Sequence, residues 1–349
     1  MPSTVVLIDG HPASGKSLIR GMLDGHSLGF VSPFHDLLPL AFCRKAYDEN
    51  ALTARDIEWL RQALICHARY SRIERIARHR EFYLEPIAGE MKRIYLGLDF
   101  PAFDAQWVED LSRASETWHP EMIIATIYAN LKRFIQPDLQ SQERGYEEFY
   151  ATLGDGDITS SERFLNRFPN GKIIYMRREP VEIFAALCAR KPQPGNYRTA
   201  NNNQSLLFEK YMREGLLRRI QTKNVVIDRL AKDHPDRVLI VDFQAFFSHF
   251  EEFVDRISSF IGIDYESSLN RFSFNNESVY LSNGESIFSA PKDTPEGLLT
   301  KKQMAVLDPW SARRLPLKFY GIAVRYFLLA RSKLSKVKSI CVRIWRLKQ

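Results

Sequence analysis

Short apolar runs alternate along the chain with longer segments of helical periodicity. β-branched residues are frequent in the short runs, which predict buried strands at residues 4–8, 28–31, 172–176 and 237–242. The longer segments predict helices at residues 16–24, 53–80, 119–135, 180–190, 205–233 and from 243 to about 261. Strands that alternate with helices in this order predict a parallel sheet covered by helices.

Polar and turn-rich segments join these elements. The second strand is expected to stop at Ser32 and Pro33. Residues 136–160 are predicted to form a loop because they are polar and rich in turn residues. Residues 191–204 are predicted to form another, since Pro, Gly and Asn are concentrated there.

The turn between the first strand and the first helix has the sequence of a phosphate-binding loop. It matches G-x-x-x-x-G-K-[ST] in full, and its residues are Gly10, His11, Pro12, Ala13, Ser14, Gly15, Lys16 and Ser17. The two glycines let backbone amides turn toward an anion at the start of the helix. Lys16 supplies a charge to phosphate, and the Ser17 hydroxyl binds Mg²⁺ or a phosphate oxygen. The motif predicts phosphate binding and leaves the nucleotide open.

A second anion site is predicted where the strand at 172–176 ends in Arg177 and Arg178. Ligands of open α/β sheets bind beyond the carboxyl ends of the strands. Arginine guanidinium groups at this place suit a phosphate, which they bind in bidentate fashion. The alternative is a surface pair that ends the strand and contacts Glu182.

The two sites together resemble those of sulfotransferases that use 3′-phosphoadenosine 5′-phosphosulfate (PAPS). In that family the first loop holds the 5′-phosphosulfate, and an Arg-x-Pro motif after a later strand holds the 3′-phosphate. Residues 178–180 match this second motif, with Arg178 as its arginine. Further segments similar to the family in order and spacing lie at residues 23–35, 156–160 and 238–262.

The resemblance covers about residues 4–38 and 155–270. It implies a P-loop-type α/β fold of three layers, with a central, mostly parallel sheet and large helical insertions. We expect residues 1–310 to form this domain, with a helical insertion at about 40–135. The resemblance also implies PAPS as co-substrate, no metal, and transfer of a sulfuryl group to a hydroxyl or amine of an acceptor that it does not identify. The acceptor is expected to be a small molecule, a glycan or a lipid-linked group, the last two if the C-terminal segment described below binds a membrane.

Two positions depart from the family pattern. The family places a basic residue in the first loop where this chain has Ala13, and a serine eight residues after the arginine where it has Ala186. Lys16 is expected to supply the missing charge from the other end of the loop.

The chemistry that the resemblance implies requires a base for the acceptor and a cation for the leaving phosphate. His35 follows the second strand, near where many family members place an acidic residue or histidine, and it is the candidate base. Asp36 is the alternative. Lys16 and the loop amides are expected to stabilise the charge that develops on the leaving group.

Basic residues are concentrated at the C-terminus. Residues 311–349 hold eleven of the 49 Lys and Arg and no Asp or Glu, so the rest of the chain has 38 basic and 42 acidic residues and a net charge of −4. This distribution argues against a nucleic-acid partner for the whole protein. Apolar and basic residues alternate at near-helical spacing over 317–349, which predicts an amphipathic helix on an anionic membrane surface. A helix packed on the domain is the alternative.

The location that these features predict is cytoplasmic, with peripheral attachment at the inner face of a membrane. No run of about 18 apolar residues predicts a transmembrane helix. The four cysteines are scattered without a C-x-x-C pair, which fits a reducing compartment.

Two other functions agree with parts of the sequence. A Mg²⁺- and ATP-dependent kinase or NTPase would use the phosphate loop and hold the metal with Asp242, which ends the last strand. A membrane-attached nucleotide-binding protein without catalysis would need the loop but neither His35 nor Asp36.

Overall fold

The computed structural model of the protein describes residues 4–35, 57–58, 60–61, 98–114, 119–135, 149–154, 158–189, 204–274, 277–278, 295 and 299–312. Most of the predicted helix at 53–80 and the basic segment at 317–349 lie outside these residues, and so does Asp36.

Five parallel strands form the central sheet. They are β1 (Thr4–Asp9), β2 (Gly29–His35), β3 (Phe149–Leu153), β4 (Lys172–Arg177) and β5 (Val238–Asp242), in the spatial order β2-β3-β1-β4-β5. Because every strand runs in the same direction, their carboxyl ends meet at one edge of the sheet. The predicted parallel sheet is confirmed.

Helices cover both faces of the sheet. Their bounds are α1 (Lys16–Leu23), α2 (Phe100–Ala114), α3 (Pro120–Ile135), α4 (Ser160–Arg167), α5 (Pro180–Ala189), α6 (Gln204–Arg213), α7 (Leu216–Asp233), α8 (Phe243–Ser248), α9 (Phe250–Ile261) and α10 (Lys301–Ala312). A short 3₁₀ turn, Ser267–Asn270, precedes a two-stranded antiparallel pair, β6 (Ser273–Phe274) and β7 (Glu277–Ser278).

Side chains of β1 alternate between two hydrophobic cores. Val5 and Leu7 pack with residues of α2, α3 and α7, whereas Val6 and Ile8 pack with residues of α1, α8 and α9. This alternation follows from the two-residue period of a strand, and it gives the three layers that the family resemblance implies. Within the described part of the chain, no helix is both long enough and apolar enough to cross a membrane.

The predicted loop at 136–160 is wrong in one respect, because it contains β3. All five residues of this strand are buried, and they pair with β1 on one side and β2 on the other. The sequence Phe-Tyr-Ala-Thr-Leu is rich in strand-forming residues, but the polar segments around it outweighed this short run.

Three predicted boundaries also differ in the structure. β2 continues through Pro33 to His35, with an irregular register after Val31, because β2 is an edge strand and such a strand tolerates proline. The helix predicted at 205–233 is two helices, α6 and α7, separated at Gly215, whose φ is 71°. The segment after β5 is likewise divided at His249 into α8 and α9, although it ends at Ile261 as predicted.

Candidate nucleotide site

The phosphate-binding loop lies at the carboxyl edge of the sheet, between β1 and α1. Gly15 has a φ of 94°, a left-handed conformation that side chains rarely adopt. A Cβ on Gly15 would also come within 2.5 Å of the Phe243 ring. Glycine at this position therefore meets two requirements, the backbone conformation and the close approach of an aromatic ring.

Lys16 extends across the loop from the first position of α1. Its Nζ donates to the carbonyl of Gly10 at 3.1 Å and to the carbonyl of Gly154, which follows β3. The ammonium thus lies where β1 and β3 end. Ser14 is 1% exposed, and its Oγ has no hydrogen-bond partner among the residues that the structure describes. A buried hydroxyl without a partner in this loop is suited to bind an anion oxygen.

Arg178 brings the second predicted anion site to the same loop. Its Nη1 donates to the carbonyl of Ala13 at 2.9 Å, and its guanidinium lies 3.9 Å from the centroid of the Phe243 ring. Burial lowers the pKa of Arg178, and the nearby carboxylate of Glu182 opposes this shift. Arg177 points elsewhere and pairs with Asp228 at 2.6 Å. Of the two arginines, Arg178 is therefore the one that contacts the phosphate loop.

A buried ion pair lies beneath the loop, and sequence analysis did not find it. Asp9, the last residue of β1, pairs with Lys223 of α7 at 2.6 Å, and both side chains are 0% exposed. Asp9 also accepts hydrogen bonds from the Gly10 amide and the Ser161 hydroxyl, each at 2.7 Å. Burial alone would raise the pKa of Asp9, but Lys223 and Lys16 outweigh it and lower the pKa to about 2. The carboxylate is therefore charged at neutral pH.

His11 lies inside the loop rather than on its surface. Its side chain is buried, and burial lowers its pKa to about 4 although Asp9 and a hydrogen bond to the backbone of Ile220 act in the opposite direction. Among the described residues no partner contacts its Nε2 by a hydrogen bond. The imidazole is neutral at physiological pH, and its position favours a role in shaping the loop.

The candidate base lies at the same edge of the sheet. His35 is the last residue of β2, and its backbone pairs with Leu153 at the end of β3. The carboxyl ends of β2, β3 and β1 are neighbours in the sheet, so this position is on the side where the phosphate loop lies. The role of His35 as base stays a prediction.

The kinase alternative required Asp242 to hold Mg²⁺. Instead, Oδ1 of Asp242 accepts hydrogen bonds from the amides of Gln244 and Ala245, each at 3.0 Å. Asp242 is thus the N-cap of α8. In the described ranges, no group of three or more His, Cys, Asp or Glu side chains is placed to hold a metal ion.

The chain matches the family model described as Sulfotransferase family over residues 6–267, which is most of its length. The protein therefore belongs to the sulfotransferase family, and it is an enzyme that transfers a sulfuryl group. This match confirms the family that the two predicted anion sites indicated. It favours a sulfotransferase over the kinase and over the non-catalytic nucleotide-binding protein. A search of curated proteins found no match.

Solved sulfotransferase structures are similar to this chain at low sequence identity. The sulfotransferase domain of the Synechococcus PCC 7002 olefin synthase is 19% identical over 94% of this chain and 95% of its own, with a TM-score of 0.43. The sulfotransferase domain from the curacin biosynthetic pathway is 16% identical over 94% and 98%, with a TM-score of 0.42. Sulfotransferase STF1 from Mycobacterium tuberculosis H37Rv is 13% identical over 77% and 70%, with a TM-score of 0.38. With TM-scores this low, family membership follows from the sequence match alone.

Proposed function

We propose that the protein transfers the sulfuryl group of PAPS to a hydroxyl or amine of its acceptor, with the donor bound at loop 10–17 and Arg178. The observation that carries this proposal is the hydrogen bond from Arg178 to the Ala13 carbonyl. It brings together two elements, 165 residues apart in the chain, that are each predicted to bind an anion. A nucleotide with phosphate groups at both its 3′ and 5′ positions is a ligand that uses both elements.

The residues present at the site fit such a donor. Loop amides at the start of α1, the buried Ser14 hydroxyl and the Lys16 ammonium are hydrogen-bond donors suited to the 5′-phosphosulfate. Arg178 is suited to the 3′-phosphate. Its guanidinium also brings a positive charge to the backbone of Ala13, the position at which the family has a basic residue.

PAPS supplies an activated sulfuryl group, and the protein's own groups then have two tasks. Lys16 and the loop amides stabilise the negative charge that develops on the leaving phosphate, through donors that are already in place. A base takes the proton of the acceptor hydroxyl or amine, and His35 is proposed for this task, with Asp36 as its alternative. Sulfuryl transfer of this kind requires no metal.

The role of the base can be separated from donor binding. We expect His35→Ala to lower kcat by about 10²-fold or more, the range of general base catalysis, and to leave the affinity for 3′,5′-adenosine bisphosphate unchanged. The control is Asp36→Ala with the same two measurements. If His35→Ala retains kcat and Asp36→Ala loses it, the base is Asp36.

The acceptor is proposed to be a small molecule, a glycan or a lipid-linked group rather than a nucleic acid. The net charge of −4 over residues 1–310 argues against a nucleic acid. The basic amphipathic segment 317–349, which is proposed to bind an anionic membrane surface from the cytoplasmic side, supports a glycan or lipid-linked group. Deletion of 317–349 is expected to abolish co-sedimentation with anionic liposomes. Unchanged co-sedimentation of the shortened protein would remove the membrane from the proposal.

The experiment for the donor compares two nucleotides by thermal unfolding. A ligand that binds the folded state raises the free energy of unfolding by RT ln(1 + [L]/Kd), about 2.7 kcal/mol at a hundredfold excess over Kd. We expect 3′,5′-adenosine bisphosphate to raise the melting temperature without Mg²⁺, and ATP with Mg²⁺ to have a much smaller effect. Stabilisation by ATP with Mg²⁺ alone would contradict PAPS as the donor.

A further inference from the structure

A negative charge lies directly beneath the loop that is proposed to bind an anion. The Asp9 carboxylate is bonded to the amide of Gly10, the first residue of that loop, at 2.7 Å. Asp9 is fully buried, so water does not screen its charge. A carboxylate in this place opposes the binding of phosphate and sulfate groups unless another charge compensates it.

Two cations act on Asp9 from the elements around it. Lys223 of α7 forms the direct ion pair at 2.6 Å, and Lys16 of α1 lies further along the loop. The other titratable groups that face Asp9 are His11 in the loop and Tyr175 in β4. His11 is neutral at physiological pH, and Tyr175 is buried, which raises its pKa far above the usual value.

We propose that Lys223 is a positioning residue of the donor site, which through its direct ion pair supplies most of the compensation of the Asp9 charge and so limits the share that Lys16 must supply. This inference rests on the proposed function of the loop. Without Lys223, the nearest cation for Asp9 is Lys16, the ammonium that the leaving phosphate requires.

The contacts of the pair connect three elements beneath the loop. Through Asp9, Lys223 connects the end of β1 to α7, and its Nζ also contacts the hydroxyl of Ser161 at the start of α4 at 2.7 Å. Asp9 fixes the Gly10 amide by a charge-assisted hydrogen bond. The Asp9 carboxylate thus fixes the start of the loop, and Lys223 compensates the negative charge of this carboxylate.

The test measures the Kd of 3′,5′-adenosine bisphosphate by titration calorimetry on four variants and the wild-type protein. We expect Lys223→Met to weaken binding by about tenfold or more at neutral pH, since one uncompensated buried charge then faces the ligand. Asp9→Asn keeps an acceptor for the Gly10 amide and removes the negative charge, so its Kd should stay within about threefold of the wild type. The double variant Asp9→Asn/Lys223→Met restores a neutral pair and should also bind within about threefold.

The matched control is Lys232→Met, which removes an exposed lysine from the same helix and should leave the Kd unchanged. Charge compensation predicts that Lys223→Met raises the Kd much more than Asp9→Asn does. This difference distinguishes it from a purely structural role of the ion pair. Both singles leave a buried charge without its partner and destabilise the fold, so a purely structural role predicts that they weaken binding alike.

Wild-type affinity in Lys223→Met, or a double variant that binds as weakly as Lys223→Met, overturns the inference and leaves the donor assignment intact. If Lys223→Met does not fold, the double variant provides the test. Wild-type affinity of the double variant then supports the inference, and a tenfold loss of affinity contradicts it. Absence of binding by the wild-type protein overturns the proposed donor itself, and the role of Lys223 with it.

Discussion

At the scale of single residues, the electrostatics of the donor site depend on four side chains from four parts of the fold. Lys16 begins α1, Arg178 follows β4, Lys223 lies in α7, and Asp9 ends β1. With Glu182, whose carboxylate lies 3.5 Å from Nε of Arg178, three positive and two negative charges surround the loop. This excess of positive charge is what a site for a nucleotide with anionic groups at two positions requires.

Gly15 is the residue of the loop whose substitution has the clearest consequence. We predict that Gly15→Ala abolishes measurable binding of 3′,5′-adenosine bisphosphate and lowers the free energy of unfolding by about 1–3 kcal/mol. Both the positive φ and the approach to the Phe243 ring force the loop to move. Denaturant unfolding and calorimetry measure the two effects.

Gly262 provides the control for this substitution. It has a similar φ of 90°, but a Cβ there would have no atom within 4 Å. Gly262→Ala should therefore show only the conformational cost, about 1 kcal/mol, with unchanged nucleotide affinity. Loss of affinity in both variants would mean that backbone strain, rather than the contact with Phe243, disturbs the site.

His11 gives the fold a predicted sensitivity to acid. Its pKa is about 4 in the folded protein and 6.5 in the unfolded chain, so the unfolded state binds more protons between these values. The stability that neutral His11 contributes is fully present above about pH 6.5 and is lost as the pH falls toward 4. The loss approaches about 3 kcal/mol.

The measurement is the free energy of unfolding in urea as a function of pH. His11→Asn keeps an amide donor near the position of Nδ1 and has no proton to gain, so its stability should change less over the same pH range. Parallel curves for the variant and the wild-type protein would contradict the assignment to His11.

The sequence made Lys16 and Arg178 predictable but not Asp9 and Lys223. The first two belong to motifs whose spacing follows from the chemistry of phosphate binding. Lys223 lies in an amphipathic helix, more than 200 residues from Asp9, and lysine is almost never fully buried. Only the packing of α7 against the end of β1 shows that this lysine is buried, and no local pattern encodes that packing.

At the scale of elements, α7 connects the strands that form the site. Lys223 contacts Asp9 of β1, Asn224 accepts from the Tyr175 hydroxyl of β4 at 2.9 Å, and Asp228 pairs with Arg177. Asn224 and Asp228 are four residues apart and share one side of the helix, and Lys223 directly precedes Asn224. The helix thereby fixes β1 and β4, the strands from which the phosphate loop and Arg178 extend.

Arg237 has a comparable role at the opposite edge of the sheet. Its guanidinium donates to the carbonyls of Leu165, Phe168 and Gly171, which end α4 and lead into β4. We predict that Arg237→Gln lowers the free energy of unfolding by about 1–3 kcal/mol, because it leaves backbone acceptors without donors. Urea unfolding measures this.

The control for Arg237 is Arg218→Gln, on the exposed side of α7, which should change the free energy of unfolding by less than about 0.5 kcal/mol. Nucleotide affinity should be unchanged in both variants, since neither residue contacts the loop. Equal stability of the two variants would show that Arg237 does not hold the end of α4.

Element prediction succeeded where a segment was long or strongly apolar and failed where tertiary pairing decided. β1, β4 and β5 were recognised from their apolar runs, and α3 from its periodicity. β3 has only five residues between polar segments, and its place between β1 and β2 is fixed by pairing with both. The break between α6 and α7 depends on the left-handed conformation of Gly215, which helical periodicity does not reveal.

At the scale of the whole molecule, the topology of the sheet brings together the two parts of the proposed donor site. β1 and β4 are adjacent and parallel, so the loop after β1 and the arginine after β4 extend from the same edge. In the proposed function, a single nucleotide contacts both segments, which are far apart in sequence. The central claim is that Arg178 serves the 3′-phosphate of this nucleotide.

The most direct test compares the affinities for 3′,5′-adenosine bisphosphate and adenosine 5′-phosphate, which differ only by the 3′-phosphate. The account predicts that the wild-type protein binds the bisphosphate at least about tenfold more tightly, since a charge-assisted contact with phosphate contributes more than about 1.4 kcal/mol. Arg178→Met should abolish this difference. Arg177→Met should retain it, because that guanidinium is paired with Asp228. Equal affinity of the wild-type protein for the two nucleotides would contradict the account.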